Sequence, residues 1–320
     1  MTIEDGGTVS GLDKGLPASN SKFSSKMPYG AMYNWNGGAH GGVPNGNMSM
    51  TLNSGMCYGS ILHPIAPGSG GSGDYANSRG GGIVRLDIGG ALKLDGLITV
   101  EPGTKGEHYC FSGGSIWVNA ATLSGTGTFD ARGGSWNGGT CTGGGGGRIA
   151  IYLSQQKSTD ADFAGEITVA GGAYRSVGAT PTASGGTLYR QYADEKDGYG
   201  TCYIDGYNTS IGAPYGPEIG IPEARGGDGE KGLRNVRFVL RRNGRIFCAH
   251  DVRVGDIVIE DTTGRIAASN EVMTITEYDH KRGRGWATGA TPSAAYSTAV
   301  KKYGAGDVRW YHRGMQIIVR

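Results

Sequence analysis

The sequence predicts an all-β protein: a β-solenoid (parallel β-helix-like) body with glycine-rich turns, followed by a smaller antiparallel β region. Three observations lead there. Glycine supplies 62 of the 320 residues, far above the usual ~7 %. Each glycine costs extra backbone entropy on folding, so this many must serve tight turns or close backbone packing. A layout of glycine pair, short strand, loop and second short strand recurs at Gly81–Val100, Gly113–Gly134 and Gly145–Gly172, with a fainter copy from Ser184. Within a unit the side chains alternate with period two, Ile83, Arg85 and Asp87 on one face and Val84, Leu86 and Ile88 on the other, as in a strand with one buried face. Units that cannot bury that face alone must stack on their neighbours.

In chain order, residues 1–75 are poor in strand signal and rich in turn signals such as Asn36-Gly37-Gly38 and Pro44-Asn45-Gly46, so they read as a loop-rich opening of the first domain, 1–232. The repeats follow, with Ile83, Ile116 and Ile149 spaced by 33 residues and Leu188 by a further 39. Pro214, Pro217 and Pro222 with a polar glycine run mark a linker, and a boundary near 232 opens a second, basic domain, 233–320. There Val236–Leu240 and Arg245–Phe247 flank Asn243-Gly244, a favoured hairpin turn. Further strands are expected at Asp256–Glu260, Val272–Tyr278, Val308–Tyr311 and Met315–Val319, and one helix at Ser293–Tyr303. The final strand could leave an exposed edge, a surface that pairs with other chains unless covered.

The net charge of +2 conceals an asymmetry: residues 1–232 hold 15 Lys/Arg against 20 Asp/Glu, and residues 233–320 hold 15 against 8. An acidic body and a basic end suit contact with an acidic polymer or with a neighbouring copy. Cys57, Cys110, Cys141, Cys202 and Cys248 have no C-x-x-C spacing and fix no redox compartment. The acidic opening Met1–Asp5 is followed by no apolar run, so no signal peptide is expected in this sequence, and no stretch reaches the length of a membrane span.

Tests for chemistry are mostly negative. Gly68-x-Gly70-x-x-Gly73 and Gly227-x-Gly229-x-x-Gly232 spell a dinucleotide fingerprint but lack the preceding strand and following helix that would hold a pyrophosphate. The nearest calcium-roll strings, Gly70–Tyr75 and Gly226–Lys231, lack the aspartate at their sixth position; no cofactor is expected beyond, at most, a single Ca2+ on loop oxygens. His108/Cys110 and Cys248/His250 could form a zinc site only if they met. Asp87, Asp95, Asp130, Asp160 and Asp162 are the candidate acids and bases of a polysaccharide-cleaving enzyme, but rung edges and loops carry solvated carboxylates in any case. Aromatic and basic residues are the better lead: Trp35, Trp136, Trp286 and Trp310, with Lys281, Arg282 and Arg284, are the candidate ligand or subunit contacts, suited to sugar faces and anionic polymers. Nucleic acid is not an expected partner, since no reader fold accompanies the basic run.

At Gly81-Gly82-Ile83-Val84-Arg85-Leu86, at Gly113-Gly114-Ser115-Ile116-Trp117-Val118 and at Gly143–Gly147 with Arg148-Ile149-Ala150-Ile151-Tyr152, the chain resembles a recurrent glycine-rich module of large bacterial cell-surface and secreted proteins of adhesin-like type. The likeness covers about residues 36–206, including Ala39-His40-Gly41-Gly42 and Tyr58-Gly59-Ser60. It implies surface display and a solenoid, and brings no catalytic residues. The expected function is therefore that of an extracellular, non-enzymatic structural or adhesive module that contacts other copies of itself or a cell-surface polymer, self-assembling through strand edges and charge. The alternatives are a carbohydrate-binding module and, below it, a polysaccharide-degrading β-helix.

Overall fold

A computed structural model of the chain describes residues 1–17, 37–44, 57–70, 79–103, 111–135, 143–173, 183–207, 216–260, 264–268, 272–276, 300–302, 307–312 and 315–316. The strands in chain order are β1 (Thr2–Ile3), β2 (Thr8–Ser10), β3 (Ile83–Asp87), β4 (Leu92–Leu94), β5 (Leu97–Thr99), β6 (Ser115–Ala120), β7 (Leu123–Ser124), β8 (Thr128–Asp130), β9 (Arg148–Leu153), β10 (Glu166–Thr168) and β11 (Thr187–Gln191). They continue as β12 (Thr201–Asp205), β13 (Glu218–Ile219), β14 (Arg237–Arg241), β15 (Arg245–Cys248), β16 (Val252–Val254), β17 (Asp256–Ile259), β18 (Arg265–Ala268), β19 (Val272–Thr276), β20 (Val300–Lys302), β21 (Asp307–His312) and β22 (Met315–Gln316). Helix is confined, among the described residues, to one 3-10 turn (Glu223–Arg225) and one four-residue turn, α1 (Gly229–Gly232). No helix among these residues is long and apolar enough to cross a membrane.

The strands form five separate sheets. One runs β1-β4-β7, a second β10-β8-β5-β2, and a third, of seven strands, β17-β14-β12-β11-β9-β6-β3; the last two run β13-β15-β18-β20 and β16-β19-β21-β22. Consecutive repeats pair in parallel, so Val84, Ile116, Ile149 and Leu188 occupy one row across β3, β6, β9 and β11. The row expected from spacing alone, through Ile83, is off by one position. Ile83 lies opposite Ser115 and is 42 % exposed, whereas Val84 is buried opposite Ile116. The expected alternation within the strand holds, with Val84 and Leu86 turned inward and Arg85 and Asp87 outward.

The seven-stranded sheet reverses direction once: β11 is parallel to β9 but antiparallel to β12, and β12, β14 and β17 are again parallel. Its two faces bury two different cores. On one face Ile116, Val118, Ile149, Ile151 and Leu188 pack with Leu92, Leu94, Ile98 and Phe129 from the first two sheets. On the other, Ala150, Tyr189, Cys202, Phe238 and Ile257 pack with Ile219, Ile246, Val252 and Val254 from the last two. A crossover of fixed hand returns on one side of the strand it leaves, so a strand that reverses sends its connections to the opposite face.

This corrects the expected β-solenoid body with a smaller antiparallel region. A solenoid has one interior along its length; here the interior changes face at β11/β12, and the strands are divided among five sheets, parallel or mixed. Nor is the C-terminal part antiparallel throughout: among the described residues only β21 and β22 pair that way, and the other strands beyond 232 pair in parallel. β14 and β15 do not pair with each other across Asn243-Gly244 but with β17 and β18, both in parallel. The turn is present, with Arg242 and Asn243 both at positive φ (48° and 67°), yet it is a corner between two sheets. Of the expected helix at Ser293–Tyr303, the described part, Val300–Lys302, is a strand. The sheet itself runs across position 232, since β12 and β14 are neighbours within it.

Between sheets the glycine-rich segments build a second kind of order. Residues 143–147 donate backbone hydrogen bonds to Gly134, Gly38, Ser184 and Ala131 and accept them from Gly172, Gly113, Gly42 and Thr187, at 2.8–3.2 Å. A strand has two neighbours; this segment has five, so its bonds radiate in three dimensions. Such packing admits no side chain. A Cβ at Gly114 would overlap the carbonyl oxygen of Gly82, and one at Gly146 that of Val169, which is the close backbone approach that only glycine permits.

Candidate functional site

Where the glycine array meets the second core, four segments converge on Arg148. Its position in β9 matches Ser115 and Ile83 on the preceding strands, so its side chain leaves the sheet on the face that carries Ala150. Residues 57–70 cover it there. Arg148 is fully buried; its Nε donates to the Tyr58 carbonyl at 3.1 Å and its Nη1 to Thr187 Oγ1 at 3.1 Å. Burial depresses its pKa, and the nearby charges of Asp228 and Glu218 oppose that shift. Those carboxylates are already engaged. Glu218 binds Arg225 at 2.6 Å, and Asp228 accepts from Ser60 Oγ at 2.5 Å and from Ile61 N–H at 2.8 Å.

His40 completes this node. Its Nδ1 lies 2.9 Å from the Gly113 carbonyl, an acceptor only, so Nδ1 carries the proton and Nε2 the lone pair. Burial and the Arg148 charge lower its pKa to about 3, which leaves it neutral in the folded protein near neutral pH. Cys57, Cys202 and Cys248 are buried free thiols, and desolvation pushes Cys57 up to about 12 and Cys202 higher still. A thiol held protonated is a poor nucleophile and a poor metal ligand. The node therefore locks segments together.

On the same face of the sheet a row of rings runs from the buried Tyr189 of the second core out to the exposed Arg85. Arg85 lies over the Trp117 ring, 4.1 Å from its centroid, and binds Asp87 at 2.8 Å. His63 packs on Trp117 at 5.1 Å and lies parallel to Tyr152 at 6.3 Å, and Tyr152 meets Tyr189 at 5.4 Å. Tyr152 donates its hydroxyl to the Leu62 carbonyl at 2.8 Å. The cation over the indole adds about 0.5–1 kcal/mol at a site this exposed. With Arg85 and His63 both packed on it, Trp117 is committed to this row.

No family model, curated protein or solved structure matches the chain.

The structure brings few of the expected site residues together. Trp35, Trp136, Lys281, Arg282, Arg284 and Trp286 lie outside the described residues, as do His108, Cys110 and Cys141. Trp310 belongs to β21. Cys248 is buried in the second core, and His250 is 44 % exposed with its Nε2 4.0 Å from Glu218; among the described residues no three His, Cys, Asp or Glu side chains are grouped for a metal. The candidate carboxylates are spread apart: Asp87 on Arg85, Asp95 on Lys93, Asp162 on Arg190, Asp160 in a turn with Lys157. Asp130 alone meets a second carboxylate. It shares Arg132 with Glu101, whose pKa is raised to about 7 by burial and the Asp130 charge.

Sequence reasoning did not single out Arg148, His40 or the Arg85–Trp117 pair as site residues. A signal for two of them existed. Aligning the repeats on their glycine pairs, Gly82, Gly114 and Gly147, places Arg85 beside Trp117 and Arg148 beside Ser115. For His40 and His63, which reach their partners from irregular segments, the sequence carries none.

Proposed function

We propose that the chain is an extracellular structural and adhesive module of a cell surface, one that works by contact with other macromolecules and performs no bond chemistry. The observation that supports this is the glycine array. It commits the middle of the molecule to a solid packing of backbone on backbone, in which residues 143–147 bond to five neighbouring segments. Such a packing resists deformation and leaves the surface for contact. The buried, protonated thiols and the neutral His40 fit the same reading, because each strengthens the interior without offering a reactive group.

Beads coated with the full chain, incubated with acidic and neutral polysaccharides and with intact cells, test the proposal. Retention on a surface with no new reducing ends in the polysaccharide is expected. Release of reducing ends by purified protein would overturn it in favour of an enzyme.

A further inference from the structure

The three sheets around the first core do not end level with one another. β1 extends the sheet of β4 and β2 that of β5, each one strand further out and in parallel. Among the described residues nothing extends the third, which ends at β3. Both corners of the missing side are nevertheless in place: Gly82 N–H donates to the Gly11 carbonyl at 2.7 Å, and the Met1 nitrogen to the Ala91 carbonyl at 2.8 Å. Between those corners β3 borders a slot one strand wide, about 4.8 Å, with β1 and β2 as its shoulders. A folded sheet cannot enter between the shoulders; a lone extended strand fits.

The backbone of β3 is ready for it. Ser115 N–H donates to the Gly82 carbonyl and Ile88 N–H to the Asn119 carbonyl, so the parallel ladder turns the backbone groups of Val84 and Leu86 toward β6 and those of Ile83, Arg85 and Asp87 into the slot. Among the described residues no hydrogen bond reaches those outward N–H and C=O groups, and an edge left this way pairs with a strand unless it is covered. A strand parallel to β3 and in register with it, the direction that β1, β2 and β3 take with their own partners, satisfies every one of them.

Side chains set the sequence of that strand. Residues opposite Val84, Leu86 and Ile88 point toward the first core. There Val9, Leu86 and Ile88 are only partly buried, whereas Ile116, Val118, Ile149 and Ile151, deeper in the same core, are at 0 %. Apolar side chains at those positions complete the cover. On the other face an acidic residue suits the place opposite Arg85 and a basic one the place opposite Asp87, because opposite charges on facing residues attract.

We infer that the slot beside β3 is a docking site for one extended strand of another polypeptide, parallel to β3, apolar at alternate positions and carrying an acid and a base between them. Main-chain hydrogen bonds supply the affinity of such a contact and the alternate side chains its specificity. The inference rests on reading the chain as a contact-making structural module, and adds the kind of partner and its register.

The probe is the fluorescein-labelled peptide Thr-Val-Glu-Val-Lys-Val, whose residues stand opposite Ile83 to Ile88 in turn, titrated with the full chain and followed by fluorescence anisotropy. Saturable binding is expected. The same peptide N-methylated at its first two valines, whose backbone groups meet those of β3, is expected not to bind. Asp87→Pro removes an outward N–H and sets a ring on the edge while sparing the bonds to β6, a place where strands tolerate proline; affinity should fall at least about tenfold, and thermal melting shows whether the fold is kept. Asp87→Lys, which leaves the backbone unchanged, should weaken the probe and regain affinity once Glu replaces the peptide's Lys, and that exchange fixes the register. No saturation at any soluble concentration, or equal binding by the N-methylated peptide or by folded Asp87→Pro, overturns the inference. Self-association of the chain that Asp87→Pro abolishes, with the peptide left free, also overturns it, because the occupant is then a second copy. Retention of Asp87→Pro on polysaccharide or cells would leave the structural and adhesive reading standing whichever way the peptide behaves.

Discussion

Glu101 and His40 show how single residues set opposing slopes in the pH dependence of stability. His40 has a pKa near 3 in the fold against 6.5 in the unfolded chain, so the unfolded state binds the extra proton and stability falls as pH drops below 6.5. Glu101 is held at about 7 against 4.5. There the folded state binds the extra proton, and stability falls as pH rises from 4.5 to 7. Between 4.5 and 6.5 the two slopes cancel to first order. Glu101→Gln removes one of them, so its Tm should climb with pH across that interval while the parent's stays level; a level profile in the variant would contradict the assignment. A glycine pair tests the backbone array in the same way. Gly114→Ala forces a Cβ onto the Gly82 carbonyl, and chemical denaturation should read a loss of about 3 kcal/mol or more. Gly90, with nothing within 4 Å of a Cβ, should accept alanine within about 0.5 kcal/mol.

At the scale of elements, much was legible in the sequence and some was misplaced for identifiable reasons. The strands at Val236–Leu240, Arg245–Phe247, Asp256–Glu260 and Val272–Tyr278 were readable as short apolar runs, and β14, β15 and β17 prove buried on both faces. Their partners were not readable, since Asn243-Gly244 makes the same tight turn at a hairpin and at a corner between sheets. The repeat register slipped by one at Ile83 because spacing between isoleucines was followed where the glycine pairs held the true frame. That shift has a measurable consequence. Ile116→Ala, at a position with 0 % exposure, should cost about 2–5 kcal/mol. Ile83→Ala, on the exposed side of β3, should cost no more than about 0.5 kcal/mol. Comparable losses at both positions would restore the spacing-based register. Arg148 lay hidden because a buried arginine bonded to Tyr58 and Thr187 has the same sequence appearance as a surface one.

The whole molecule is organised by two devices, one foreshadowed in the composition and one not. Glycine abundance announced close backbone packing, and the bonds around residues 143–147 are that packing. The reversal between β11 and β12 left no trace, because alternation reads the same in either strand direction; it moves the interior to the other face and turns one sheet into the partition between two cores. Joining the halves in this way makes the array and its sheet the part of the protein that opens last. Amide hydrogen exchange followed residue by residue tests this most directly. If the array is a bonded solid, Gly144, Gly145, Gly146 and Gly147 exchange only through global unfolding, as slowly as Ile149 and Ile151 in β9. Exchange of those four glycines at the rate of an exposed loop, while β9 stays protected, would contradict it.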